Sequence, residues 1–215
     1  MSAVRRVTTV DKIADALRTG ILHGTLYPGE HLCQHTLARE HTASKVPVRE
    51  ALMQLHTEGL LQHDRNRGYF VLRLSRSEAQ QIFLMRRWLE TQLLNTLCWP
   101  CDLTLDNFSK LQACVAAPWE KANRAFRYDA LVQLRYLLFG LSPDKVLLRE
   151  ATRLWMRIDR LHAFFAPEGT YAFTGALASR DRDLLLKAHS AERDHADELL
   201  NEAQVALPGI WAEEP

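Results

Sequence analysis

Lys45 and Arg49 stand one helical turn apart directly behind Ser44, so a helix through them carries two cations in its first turns. A short helix ahead of them, and a loop bearing Arg65, Arg67 and Gly68 after them, complete an element shaped to enter a nucleic-acid groove. Two other groupings have spacings that chemistry uses. His189, Glu192 and His195 lie three residues apart, and Glu192-x-x-His195 copies half of a di-iron bundle motif. The second such pair that a helical-bundle metalloenzyme needs is not in the sequence. Cys98-Trp99-Pro100-Cys101 has redox-motif spacing, but it closes a helix instead of following a strand, which favours buried structural thiols over redox sensing.

The elements that must position these residues follow from periodicity and caps. Ser44 can cap a helix whose first turn accepts Pro47, because a backbone N–H is not needed there. Val48, Ala51, Leu52 and Leu55 form its apolar stripe, and Gly59 stops it. Earlier, Thr8 or Thr9 opens a helix with Val10, Ile13, Leu17 and Ile21 on one face, ended by Gly24. Tyr27-Pro28-Gly29-Glu30 places Pro and Gly as a type II turn requires. A short helix over 34–40 shows Leu37 and Ala38 to the core. Residues 60–63 and 69–72 read as strands joined by a hairpin tip with two arginines. Helix, turn, helix, turn, helix, hairpin is the order of a winged helix-turn-helix.

Ser75 followed by Glu78 is a capping box that opens a long helix with Ile82, Met85, Leu89, Leu93 and Leu97 on one face. Helical patterns follow over 105–115, 123–141, 144–165, 171–179 and 182–205, and none alternates as a strand does. The fold class is therefore mainly α, a winged head over 1–74 and an all-helical bundle over 75–215. Trp88, Trp99, Phe126, Trp155, Phe164, Phe165 and Tyr171 are expected in its core or at a subunit interface.

At 215 residues, 47% apolar and 25% charged, the chain can bury one substantial core or two small ones. No apolar run approaches membrane-spanning length, and MSAVRRVTTV lacks the hydrophobic stretch of a secretory signal, so the cytoplasm is expected and a membrane partner is not. Four irregularly spaced cysteines are too few for a disulfide scaffold. The net charge of +1 divides unevenly: residues 1–76 carry eleven Lys/Arg against seven Asp/Glu, and six of the nine histidines. A basic head on a mildly acidic body places a polyanionic partner at the N-terminal third.

ILHGTLYPGEHL, LARE, SKVPVREALMQLHTEGLL and NRGYFV together resemble the GntR family of bacterial transcription regulators, in the FadR-like subgroup with an FCD-type helical effector domain. Arg86 and Glu90 in RRWLE match the opening helix of that domain. The resemblance implies a homodimer held through the helical domains, whose two heads read a near-palindromic double-stranded DNA operator. It places Ser44, Lys45, Val46 and Arg49 on the DNA-facing positions. Arg49 is then the base reader, since its fork holds guanine O6 and N7 together. Lys45 stands where arginine is commoner and suits a phosphate, Arg39 meets the backbone, and Arg65, Arg67 and Gly68 form the wing. Thr42 occupies a turn position that Gly often holds, so the turn either differs or is strained.

Many members of that subgroup hold a divalent metal in the helical domain. At the matching positions this chain has Leu131, Arg135, Thr170 and Glu192, so the resemblance implies no metal and no cofactor. Arg135 and Glu192 are expected either to pair with each other or to serve an effector site. In the second case Arg135 replaces the metal as the positive group that holds a carboxylate or phosphate effector, with Arg86 or Arg157 beside it. A metal sensor using His189, Glu192 and His195 in a shifted register is the alternative.

Overall fold

The computed structural model describes residues 7–99 and 124–162, with 183, 185–187, 189–190, 200–201, 209 and 211–212. The helices expected over 105–115 and 171–179, and most of that over 182–205, lie outside these residues, as do Phe164, Phe165 and Tyr171.

The chain divides into two compact units, Met1–Leu74 with Gly209–Ala212, and Ser75–Pro208 with Glu213–Pro215. In the first unit, α1 spans Thr9–Leu22. Thr8 caps it, and Asp11 closes a capping box back to the Thr8 backbone. Tyr27 to Glu30 form the expected turn, with Gly29 at φ 84 and Glu30 N donating to Tyr27 O at 2.9 Å. β1 (His31–Leu32) leads into α2 (Gln34–Glu40), and α3 spans Lys45–Thr57. β2 (Leu61–Asp64) and β3 (Gly68–Val71) make the hairpin. The sheet order is β1-β3-β2, antiparallel throughout, with His31 opposite Phe70 and Gln62 opposite Phe70 from the other side. β1 was not expected, because two residues are too short to show alternation.

The core of this unit is where α1 and α3 meet the sheet. Ile13, Leu17 and Ile21 pack with Val48, Ala51, Leu52 and Leu55, and all four α3 residues are fully buried. Burying each large side chain contributes roughly 1.5–3 kcal/mol. That is ample to fix the orientation of a 13-residue helix. Residues 209–212 join the unit through a parallel bridge between Leu74 and Trp211, with Ala212 N donating to Leu74 O at 3.0 Å.

In the second unit, α4 (Arg76–Asn95) starts at the expected Ser75/Glu78 capping box. α5 spans Arg124–Phe139 and α6 spans Lys145–His162. Leu93, Leu94, Leu131, Leu134, Leu138 and Trp155 form its core. Two expectations fail here, for Met85 and for Cys98. Met85 is 40% exposed, because the buried face of α4 is instead set by Ala79, Ile82, Glu90, Leu93 and Leu94. Trp88 and Phe126 lie outside the core and exposed on the single chain, which leaves the interface half of what was expected of them. Cys98 is exposed, not buried, with Sγ donating to Thr96 O at 3.6 Å. Cys101 lies outside the described residues.

Candidate nucleic-acid interface

α3 shows how one sequence serves two faces. While Val48, Ala51, Leu52 and Leu55 are buried, Ser44, Lys45, Val46 and Arg49 are all exposed at its N-terminal end. Ser44 holds the N-cap position with φ −76 and ψ 168, yet its hydroxyl makes no capping bond. The reason lies three residues on. A capping hydroxyl usually accepts from the third helical N–H, and that residue is Pro47, which has none. Ser44 therefore sits at the exposed start of α3 without the cap expected of it.

Around α3 the fold supplies rigidity. Arg18 on α1 grips Glu58 with Nε and Nη2 at 2.9 and 2.7 Å, a bidentate pair that clamps the C-terminal end of α3. Gln54 Nε2 donates to the same carboxylate at 3.0 Å. Ahead of α3, Thr42 has φ 50. Left-handed backbone is strained for a β-branched residue, so the turn keeps the geometry that Gly would take, at a cost. Arg39 is exposed in the last turn of α2.

Arg65 and Arg67 stand exposed at the tip between β2 and β3, and Gly68 has φ 92. Asp64 Oδ1 accepts from Asn66 N at 2.8 Å and Arg67 N at 3.0 Å, which folds the tip and holds the Asp64 carboxyl below its ordinary range. The Arg67 guanidinium lies 5.2 Å from the centre of the Phe70 ring, and Phe70 packs on His31 at 4.8 Å across the β1–β3 pair. β1 thereby backs the wing, an arrangement that sequence periodicity did not reveal. The structure brings the expected residues of the head into one unit, in three exposed sets: the end of α2, the start of α3 and the wing tip.

The helical unit contains a buried polar cluster. Arg86 Nε donates to Glu90 Oε1 at 2.6 Å, and Trp155 Nε1 donates to the same oxygen at 2.5 Å. His189 Nε2 lies 3.6 Å from Glu90 Oε2 and 3.4 Å from Arg87 O. Burial alone would raise the Glu90 pKa, but the charges of Arg86, His189 and Arg135 together hold it below its ordinary value. Arg135 Nη1 donates to Asp159 Oδ2 at 2.6 Å, and Tyr128 Oη donates to that oxygen at 3.3 Å. Burial and then Asp159 push the Tyr128 phenol up. Asp159 is the partner of Arg135 that sequence reasoning missed; Glu192, Thr170 and His195 lie outside the described residues. Leu131 is a core residue. Arg157 Nε is buried with no hydrogen-bond partner among the described residues. Arg157 also lowers the pKa of Arg160, after burial of that side chain, so two guanidiniums repel each other on α6. Among the described residues no group of three His, Cys, Asp or Glu could hold a metal ion.

A three-helix head with a clamped, basic, outward-facing third helix and a two-stranded wing defines a winged helix-turn-helix DNA-binding protein. Residues 9–71 match the family described as bacterial regulatory proteins, gntR family. The chain is 34% identical over 197 residues to the Nta operon transcriptional regulator of Aminobacter aminovorans, covering 86% of this chain and 91% of that one. It is 33% identical over 200 residues to the gluconate operon transcriptional repressor of Bacillus licheniformis, covering 85% and 81%. The solved structure of Escherichia coli McbR/YncC shares its fold, with a TM-score of 0.71 at 17% identity over 92% of this chain and 99% of that one. The chain belongs to the GntR family of bacterial transcription regulators. Among its described residues no helix is long and apolar enough to cross a membrane.

Proposed function

We propose that the chain is a cytoplasmic, homodimeric transcriptional repressor whose two heads grip a near-palindromic operator and whose helical unit binds an anionic metabolite that releases it. The observation that carries the operator part is the exposed Ser44-Lys45-Val46-Arg49 end of a helix whose opposite face is wholly buried. Arg49 holds guanine, Lys45 and Arg39 hold phosphates, and Arg65, Arg67 and Gly68 follow the neighbouring groove wall. Leu84, Met85 and Trp88, an exposed apolar stripe on α4, support a subunit interface there.

The effector part rests on arginines at Arg86, Arg135 and Arg157, with Glu192 as the expected fourth residue. Arg86 and Arg135 already hold Glu90 and Asp159, whereas Arg157 Nε has no hydrogen-bond partner among the described residues, and an anion beside it would relieve its repulsion with Arg160. One relative represses a gluconate operon, and gluconate is a carboxylate, the class of ligand that a guanidinium takes. Release then requires the effector to bind the non-operator arrangement more tightly than the operator one.

The test uses the purified chain and the duplex upstream of its own gene. Two chains per duplex are expected, with affinity falling steeply as salt rises. One chain per duplex contradicts the dimer. For the effector, a thermal-shift panel of organic acids and sugar phosphates is run on wild type and Arg157→Gln. A stabilising acid that also releases the duplex, with both effects weakened in the variant, is the expected result. Equal responses in both proteins exclude Arg157.

A further inference from the structure

We infer that Val46 is a specificity residue of the reading helix and recognises the 5-methyl group of a thymine in each half-site, a step that rests on the operator proposal above. Val46 is 66% exposed, more than any other apolar side chain of α3. At about 100° of rotation per residue, it lies roughly opposite the centre of the buried face formed by Val48, Ala51, Leu52 and Leu55. Arg49 and Lys45 both lie to one side of this apex, about 60° and 100° round the helix, and both are exposed. The outermost point of the helix end, beside two cations, is thus an apolar, β-branched side chain with one stiff rotamer.

A lone exposed valine elsewhere on a surface needs no explanation. Here its position does the deciding, because the first turns of a reading helix are the ones that meet base edges. Valine has no donor or acceptor, so it cannot read guanine, adenine or cytosine by hydrogen bonds. The only apolar group that the bases show in the major groove is the thymine methyl. Arg49 beside it supplies guanine recognition, so the pair specifies a thymine close to a guanine on each half-site.

The experiment starts from the duplex that the purified full-length chain enriches from a random library. Each thymine is then replaced singly by deoxyuridine, which removes only the methyl, and binding is measured by competition for wild type, Val46→Ala and Val46→Thr. Val46 is exposed, so the variants should fold as wild type does. At one thymine per half-site the wild type should lose about fourfold in affinity, the value of one buried methyl. Val46→Ala should lose nothing there, and Val46→Thr, which keeps one methyl, should fall between. A flat deoxyuridine scan, or a loss that Val46→Ala shares, overturns this assignment while leaving the operator proposal intact. Failure to enrich any sequence overturns both.

Discussion

In the proposed operator complex the cations at the start of α3 divide the labour of recognition, and single substitutions should separate their shares. Arg49→Ala should remove roughly 1–3 kcal/mol of discrimination at one guanine position while leaving binding to random duplex nearly unchanged. Lys45→Ala should instead weaken binding to every sequence and lower the salt slope by about one. Anisotropy titrations across a salt series measure both; a sequence-independent loss in both variants would show that neither reads a base. Thr42 offers a separate check on the local geometry. Its φ of 50 is strained, whereas Gly takes it freely, so Thr42→Gly should raise stability by about 0.5–1 kcal/mol after the entropy that Gly adds to the unfolded chain. A lower urea midpoint in this variant would mean that the Thr42 side chain contributes more than its backbone costs.

Each element is held by contacts of different visibility, and that governs what its sequence reveals. Both capping boxes, Thr8 with Asp11 and Ser75 with Glu78, are local; the second makes the start of α4 legible from residues three apart, whereas the α1 sequence leaves Thr8 and Thr9 as alternatives. The buried stripe of α3 was legible for the same reason. The Arg18–Glu58 clamp, the Arg135–Asp159 pair and the His31–Phe70 stack join residues that are 24 to 40 positions apart, and no periodicity records them. The stripe of α4 misled because a buried carboxylate, Glu90, takes the place that an apolar residue would fill. Leu52→Ala should cost about 2–5 kcal/mol and abolish operator binding by loosening α3, without touching any exposed residue. Glu90 gives a pH signature: its folded pKa lies below its unfolded value of 4.5, so its stabilisation is present above that pH and is lost as pH falls through the folded pKa. Urea midpoints taken between pH 7 and 3 should therefore drop on acidification, and less so in Glu90→Gln. Parallel profiles for the two proteins would show that Glu90 contributes no such stabilisation.

At the scale of the whole molecule, a head with one exposed basic helix end reads too few bases to find a site alone, and two copies acting together square its selectivity. Trp88 lies on the exposed stripe of α4, and Trp88→Glu should shift the chain from dimer to monomer in sedimentation and weaken operator binding by at least tenfold. A dimer of unchanged strength would place the subunit interface elsewhere. Sequence selection by paired heads is tested by comparing the duplex upstream of the chain's own gene with random duplex at about 0.15 M salt. A preference of roughly a thousandfold or more is expected; equal affinity for the two would contradict selection by the heads.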